Sequence, residues 1–332
     1  MPERLRPVGI VGLGTAAGED LLTNSDLEKM VDTSDEWIRT RTGIGTRHIS
    51  KPETATSDLA YRAAVEALAD AGLTGADLDL IIVGTVTPDM PFPSTACLLQ
   101  SRLGADHAAA FDLNAACSGF IYGLAAGRQF VATGMYDTVL VIGAETLSKI
   151  TDYTDRSTCV LFGDGAGAAV LRPVGEGEGI LSTVLGADGG GGELLMQPAG
   201  GSRRPATHET VDQRLHYIHM SGGDVFKFAV KVMGEAADAA VERAGLTRAD
   251  VDVLVPHQAN RRIIDAAAKR LGLPEDRVVI NIGEFGNMSS ASIPVALHEA
   301  VRSGRIKRGD VVVLVAFGAG LTWGSAAIRW SR

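Results

Sequence analysis

The sequence has few cysteines and no long apolar run, and these absences exclude several classes of protein. Three cysteines occur among 332 residues, with spacings that fit neither a metal site nor a disulfide framework. No stretch approaches the ~20 apolar residues of a membrane span, and the first residues lack the apolar core of a signal peptide. We therefore expect a cytoplasmic protein with no membrane partner and no metal.

Positive charge is also scarce. The formal net charge is −9 at pH 7, which argues against a nucleic-acid partner but allows local basic patches. Hydrophobic residues make up 45% and charged residues 21% of the chain, an ordinary globular composition that can bury a large core. The length fits two domains or one large duplicated unit.

An internal repeat decides between these arrangements. Residues 71–81, AGLTGADLDLI, match residues 244–254, AGLTRADVDVL, at seven of eleven positions with an offset of 173. The same offset relates residues 137–142 to residues 310–315. We predict a duplicated helix–strand–helix–strand unit of the α/β class. The predicted halves are residues 1–173, with a nucleophilic cysteine, and residues 174–332, with a histidine and an asparagine.

Cys117 lies where a predicted buried strand, residues 108–113, meets a helix predicted over residues 118–131. A helix N-terminus carries roughly half a positive charge, which favours the reactive thiolate over the thiol. This position therefore predicts a nucleophile with a lowered pKa. The alternative is a buried structural cysteine, the usual role of a free cysteine.

The second half places other reactive groups after predicted strands. His257 follows residues 251–255, Asn287 follows a strand predicted at residues 278–282, and the glycine-rich turn 317–320 follows residues 311–315. Ligands in α/β folds bind where strands end, so we expect these groups to meet Cys117. The turn offers backbone N–H groups to an oxyanion. A structural histidine and an N-cap asparagine remain alternatives.

Two other enzyme classes share single features with the chain. Papain-like proteases use cysteine, histidine and asparagine in this order, but their local signature around the cysteine is absent and the repeat does not fit. Residues 12–17 weakly imitate a dinucleotide fingerprint, but no clear helix follows them. Between the halves, residues 186–213 are rich in glycine and polar residues, which is typical of either a surface lid or a disordered connector.

Six motifs in order along the chain carry a specific resemblance. They are DEWI (35–38) with RTGI (41–44), AACSG (115–119), FGDGAG (162–167), PHQAN (256–260), GN (286–287) and GAGLTWG (318–324). Together they resemble the beta-ketoacyl-acyl-carrier-protein synthase III family of the thiolase superfamily. Elongating relatives use two histidines, so Asn287 favours the initiating type. The resemblance implies a homodimer with an α/β fold, the thiolase-like duplicated α-β-α-β-α five-layered fold.

The resemblance also implies a reaction. An acyl-CoA starter, acetyl or branched, would condense with malonyl-ACP, with loss of CO2, to give a 3-oxoacyl-ACP through an acyl-cysteine. This step initiates type II fatty acid synthesis and needs no metal or redox cofactor. Two alternatives remain: a starter-loading condensing enzyme or acyltransferase of secondary metabolism, and an inactive acyl-binding scaffold. The intact Cys117, His257 and Asn287 argue against the scaffold.

Site residues carry over from the same motifs. Cys117 would accept the acyl group, His257 and Asn287 would serve the decarboxylation, and the backbone N–H groups of Cys117 and Ala319 would form the oxyanion hole. Coenzyme A would contact Trp37 and Arg156 at its adenine, Arg41 at its phosphates and Asn260 at its pantetheine arm. The acyl pocket would include Phe92, which acts across the dimer interface, together with Leu147 and Phe162. The acyl carrier protein would meet a basic face of Lys227, Arg262, Lys269 and Arg270, each of which could instead belong to a solvated helix face.

Two features depart from the family pattern. Met288 stands where the family usually has threonine, next to Asn287, and the segment Gly200–His216 is longer than expected. Either departure could reshape the acyl pocket or its entrance. The starter acyl group and the natural acceptor therefore stay open.

Overall fold

The computed structural model describes residues 5–332, so the first four residues of the N-terminal segment lie outside the described part. The strands are β1 Val8–Ala17, β2 Asp20–Thr23, β3 Thr46–Ile49, β4 Leu80–Gly84, β5 Ala109–Leu113, β6 Val139–Thr146, β7 Asp164–Pro173, β8 Gly179–Ala187, β9 Leu195–Met196, β10 His219–Met220, β11 Val253–Pro256, β12 Val311–Gly318 and β13 Thr322–Arg329. The α-helices are α1 Asn24–Leu27, α2 Asp35–Thr42, α3 Thr56–Asp70, α4 Thr95–Arg102, α5 Gly119–Ala132, α6 Arg156–Cys159, α7 His208–Asp212, α8 Gly222–Arg243, α9 Arg261–Leu271, α10 Ile282–Phe285 and α11 Ser292–Arg302. No helix within residues 5–332 is long and apolar enough to cross a membrane.

Two sheets form the frame of the molecule. The first has the strand order β1-β7-β6-β4-β5 and the second has the order β11-β12-β13-β8. Strand β4 pairs in parallel with both β5 and β6, and β11 pairs in parallel with β12. The carboxyl ends of the parallel strands in each sheet therefore lie at one edge, where the chain turns into its next helix.

Helices fill the space between the sheets and cover their outer faces. The largest core cluster joins both sheets through Phe120 and Leu124 of α5 and Ile293 and Leu297 of α11. Helices α3 and α4 pack on the outer face of the first sheet, and α8 and α9 pack on that of the second. The layers therefore run helix, sheet, helix, sheet, helix, which confirms the predicted five-layered fold.

The duplication is visible in the backbone. Short 3-10 turns occur at Ala116–Ser118 and Ser289–Ala291, separated by the offset of 173 found in the sequence. Ala116 and Ser289 both have positive φ, 46° and 47°, although neither is glycine. Such backbone strain costs about 1–3 kcal/mol and clusters at functional sites. The boundary at residues 173 and 174 stays a prediction; β7 ends at Pro173, and β8, which follows it, belongs to the second sheet.

Two strand predictions need correction. The strand before Cys117 is not buried, because within residues 5–332 β5 is the edge of its sheet and pairs with β4 alone; Phe111 is 36% exposed. The strand predicted at residues 278–282 is absent apart from one bridge between Val278 and Leu254. There the side chain of Gln258 bonds to the backbone at residues 279, 281 and 282, so these groups cannot form a ladder.

Candidate active site

A cavity of about 350 Å³ lies beside Cys117. Leu147, Phe162 and Ile218 form part of its apolar wall, so two of the three predicted acyl-pocket residues line this cavity. Phe92 does not line this cavity; its side chain is 85% exposed. A role for Phe92 across a dimer interface therefore stays a prediction.

The turn Ala116–Ser118 holds Cys117 at the cavity floor, against the end of β12. A Cβ atom on Gly318 would lie 2.6 Å from the backbone nitrogen of Cys117, so this approach requires glycine. Ala319 follows in the next position and lines the same cavity. The two proposed oxyanion-hole residues thus share one wall of the site.

The thiol of Cys117 does not have the lowered pKa that the sequence predicts. Burial raises the pKa of Cys117 to about 12, the charge of Glu145 adds to this effect, and a hydrogen bond with the Ser289 side chain opposes it. Loss of hydration is the largest of these effects. In the resting site the thiol is protonated.

His257 follows β11 and is fully buried. Its Nδ1 atom lies 2.6 Å from the Ser292 hydroxyl oxygen, and its ring meets the Phe317 ring edge-on at 5.7 Å between centroids. Burial lowers the pKa of His257 to about 3, so the imidazole is neutral at physiological pH. Its Nε2 atom is buried and has no hydrogen-bond partner among residues 5–332.

Asn287 is 6% exposed and has one end of its amide engaged. Its Oδ1 atom accepts from the backbone N–H of Ser289 at 2.9 Å, which is a local turn contact and not the N-cap considered from the sequence, because Met288 is the N-cap of the turn Ser289–Ala291. The backbone N–H of Asn287 donates to the carbonyl of Leu161, and the carbonyl of Asn287 accepts from the N–H of Gly163. The Nδ2 group donates to no described residue and is free to serve as a donor.

The three residues lie on elements that pack together. The turn of Cys117 contacts both β12 and the turn Ser289–Ala291, and the ring of His257 packs on Phe317 of β12. Gln258 ties the histidine segment to the asparagine segment: Oε1 accepts from Asn281 and Ile282, and Nε2 donates to the carbonyls of residues 256 and 279. The sequence did not predict these hydrogen bonds of Gln258, although the residue is part of the PHQAN motif.

A buried carboxyl group, that of Glu145, links the turn Ser289–Ala291 to the residues that follow β4. Glu145 accepts from the backbone of Val86 and from the hydroxyls of Thr87, Ser289 and Ser290. Burial raises the pKa of Glu145, and the hydrogen bonds oppose that rise. Because no motif singles it out, the only signal in the sequence is a charged residue at the end of an otherwise apolar strand.

The predicted coenzyme A residues gather around α2. The guanidinium of Arg156 lies 5.1 Å from the Trp37 ring centroid and donates to the carbonyl of Asp32. The carbonyl of Arg41 accepts from Nδ2 of Asn260 at 3.0 Å, and Oδ1 of Asn260 caps α9. The structure thus brings all four to one surface region, and their coenzyme contacts stay predictions.

The predicted carrier-protein residues lie on the packed helices α8 and α9, but their charges are not equally available. Arg270 is paired with Asp238 at 3.0 Å, and Lys227 with Asp224 at 3.2 Å. Arg262 lies 4.9 Å from the ring centroid of Phe226. Lys269 is exposed and forms no ion pair among the residues that the structure describes.

Neither departure from the family pattern lines the cavity. Met288 is 1% exposed and packs with Phe285, Ala291 and Val295, so it belongs to a small core cluster instead. The segment Gly200–His216 is ordered and contains α7, which excludes a disordered connector. Strands β9 and β10, which precede and follow this segment, pair as a hairpin. Both residues of β9 line the cavity.

Comparison with known proteins agrees with this geometry. Sequence models described as 3-oxoacyl-[acyl-carrier-protein] synthase III match residues 111–189 and, for its C-terminal part, residues 241–330. A beta-ketoacyl-[acyl-carrier-protein] synthase III of Symbiobacterium thermophilum is 64% identical over 99% of this chain and 100% of its own.

Solved structures extend the match to the whole fold. A 3-oxoacyl-[acyl-carrier-protein] synthase III from Aquifex aeolicus is 48% identical, with a TM-score of 0.90 over 97% of this chain and 100% of its own. The priming beta-ketosynthase of the R1128 polyketide pathway is 38% identical, with a TM-score of 0.91 over 100% of this chain and 98% of its own. Identity over nearly full length, on the same five-layered frame, shows that the chain belongs to the beta-ketoacyl-[acyl-carrier-protein] synthase III family.

Proposed function

We propose that the protein condenses an acyl-CoA starter with malonyl-ACP, with loss of CO2, and so forms the 3-oxoacyl-ACP that initiates type II fatty acid synthesis. The observation that carries the proposal is that Cys117 lines an apolar cavity, while its turn packs against the turn that follows Asn287 and against β12, on which the ring of His257 rests. The family membership supports the same reaction.

In the first step the sulfur of Cys117 attacks the thioester carbonyl of the acyl-CoA. The backbone N–H groups of Cys117 and Ala319 hold the tetrahedral oxyanion; loss of one such donor typically costs about 3–4 kcal/mol. The carbon–sulfur bond to coenzyme A then breaks, and the proton lost by the cysteine ends on the coenzyme A thiol. Because the thiol pKa is about 12, its deprotonation accompanies the attack and does not precede it.

In the second step malonyl-ACP replaces coenzyme A and loses CO2. The electrons of the broken carbon–carbon bond form an enolate, whose oxygen needs hydrogen-bond donors. Nε2 of His257 and Nδ2 of Asn287 have no protein partner among residues 5–332 and fill this role. The enolate carbon attacks the acyl-cysteine, the carbon–sulfur bond to Cys117 breaks, and the departing thiolate takes up a proton from solvent.

The proposed ligand contacts follow from the surface groups. The adenine of coenzyme A would enter between Trp37 and Arg156, since an indole face and a guanidinium both stack on a flat heterocycle. These two side chains touch each other in the free protein, so binding would separate them. The acidic carrier protein would meet α8 and α9, with Lys269 as the basic side chain that lacks an internal partner in the described structure.

The proposal includes a homodimer joined at β5, in the cytoplasm. Within the described residues β5 pairs on one side only, and an unpaired edge is a template for pairing with a second chain. Phe111 on this strand is exposed, and so is Phe92. Pairing of two β5 strands would cover Phe111, and we propose that the exposed Phe92 reaches the partner's cavity.

The decisive experiment is mass spectrometry of the products formed from acetyl-CoA and malonyl-ACP. The expected product is acetoacetyl-ACP, with one acetyl group on the protein before malonyl-ACP is added. Cys117→Ser should give neither species. Acyl transfer to a different acceptor, without carbon–carbon bond formation, would instead support the starter-loading alternative, and binding without any adduct would support an inactive scaffold.

A further inference from the structure

We propose that Ser292 is a positioning residue that fixes the tautomer of His257, with the hydrogen on Nε2, where the enolate oxygen forms. This inference rests on the proposed function, since it concerns how His257 serves as a donor in the decarboxylation step.

The hydrogen-bond geometry around Ser292 carries the assignment. Ser292 is the first residue of α11 and is fully buried. Its hydroxyl oxygen lies 2.6 Å from Nδ1 of His257 and accepts the backbone N–H of Gln258 at 3.3 Å. Within residues 5–332 no other hydrogen bond engages this hydroxyl, so Nδ1 is the acceptor available to its single hydrogen. A neutral imidazole that accepts at Nδ1 carries its hydrogen on Nε2.

The opposite tautomer would defeat the proposed role. With the hydrogen on Nδ1, Nε2 would present a lone pair to an oxygen that gains negative charge. Nε2 is buried without a partner in the described structure, so no other group corrects its orientation. Selection of a histidine tautomer by its second nitrogen is an established means of preparing the first one for catalysis.

The repeat provides an independent observation. The offset of 173 places His257 on Gly84 and Ser292 on Gly119. In the first half these two glycines touch: a Cβ on Gly119 would lie 3.4 Å from the Cα of Gly84. The same pair of positions is therefore in contact in both halves. Only in the second half does this pair of positions carry an imidazole and a hydroxyl, those of His257 and Ser292.

Ser292→Ala tests the assignment, with Ser292→Thr as the variant that keeps the hydroxyl. The matched control is Ser325→Ala, which removes another fully buried hydroxyl, one that donates to the Ala236 carbonyl on the other face of the second sheet. Transfer of radiolabelled acetyl to the protein and release of labelled CO2 from malonyl-ACP are measured separately. Nitrogen-15 NMR of histidine-labelled protein, assigned with His257→Gln, reports the tautomer.

Ser292→Ala should acylate normally and release CO2 about 10- to 100-fold more slowly than the wild type. This loss does not exceed the about 10²–10³-fold loss in rate that is typical when a whole donor is removed. Its NMR spectrum should show Nδ1 of His257 partly protonated, whereas the wild type and Ser292→Thr should show hydrogen on Nε2 alone. Ser325→Ala should match the wild type in both reactions.

The proposal fails if wild-type His257 carries its hydrogen on Nδ1, a result that needs no variant to fold. It also fails if Ser292→Ala releases CO2 at the wild-type rate, or if Ser292→Thr is impaired as much as Ser292→Ala. These outcomes differ from failure of the proposed function, in which the wild-type protein itself would form no acetoacetyl-ACP.

Discussion

Replacement of Asn287 by two different residues separates the two contacts of its amide. Oδ1 accepts the backbone N–H of Ser289, a structural contact, and Nδ2 is the free group that we assign to the enolate oxygen. Asn287→Asp keeps an oxygen for Ser289 and removes the donor. Asn287→Ala removes both contacts.

The expected magnitudes follow from these contacts. Loss of one donor to a developing oxyanion costs about 3–4 kcal/mol, which is about 10²–10³ in rate, so both variants should decarboxylate malonyl-ACP slowly. Asn287→Ala also leaves a buried N–H unsatisfied, which should lower the free energy of unfolding by about 1–3 kcal/mol. Asn287→Asp should not incur this loss. Acylation by acetyl-CoA should survive in both, because Cys117 and its turn are unchanged.

Three assays check the prediction: radiolabel on the protein after acetyl-CoA, labelled CO2 released from malonyl-ACP, and urea denaturation followed by circular dichroism. An Asn287→Asp variant that decarboxylates within threefold of the wild type would refute the assignment of Nδ2 to the enolate. The contact between Oδ1 and Ser289 would then be the only role of the Asn287 amide in the described structure. Loss of acylation with normal decarboxylation would place Asn287 in the first step instead.

Three further predictions rest on other features. The rate of Cys117 alkylation by iodoacetamide should rise about tenfold per pH unit from pH 7 to 9, because its pKa is about 12 and only the thiolate reacts. Site-resolved mass spectrometry measures this rate, with the exposed Cys97 as the reference thiol. A rate that reaches a plateau below pH 8 would contradict the raised pKa. Arg156→Ala should raise KM for acetyl-CoA about two- to fivefold at unchanged kcat, as loss of one exposed stacking contact implies, whereas Arg102→Ala, which removes a similar stack elsewhere, should not. Glu145→Ala should lower the free energy of unfolding in urea by about 3 kcal/mol, since buried donors lose their acceptor; an unchanged midpoint would show that these donors find other partners.

The repeat predicts the main strands and helices well, because the capping residues and apolar spacing that define it are local features of the sequence. Residues 71–81 and 244–254 share both their capping residues and the start of a buried strand, and the structure places a 3-10 turn and the start of a parallel strand within each. The positions of Cys117 and His257 at strand ends follow from the same pattern. Glycine and apolar spacing fix these features within a few residues along the chain.

Features set by distant partners were not predictable in this way. The strand expected at residues 278–282 failed because a side chain 20 or more positions away, Gln258, takes its backbone groups. The strand before Cys117 contains apolar residues, yet it lies at a sheet edge, and single-sequence pattern does not distinguish an apolar edge from a buried centre. The pKa of Cys117 depends on burial, and its turn packs against β12 and the turn Ser289–Ala291, contacts that local sequence does not reveal.

The raised thiol pKa and the lowered histidine pKa together constrain how the two halves cooperate. A resting ion pair between Cys117 and His257 would require the first to be deprotonated and the second protonated, against pKa values of about 12 and about 3. Both groups are therefore neutral before substrate binds. Neutral His257 suits the second step, in which it must donate from Nε2 to an anionic oxygen without giving up its proton to the site. In the proposed reaction the environment of each group thus suits its role: the predicted first half would supply the nucleophile, and the predicted second half would supply neutral donors for the enolate.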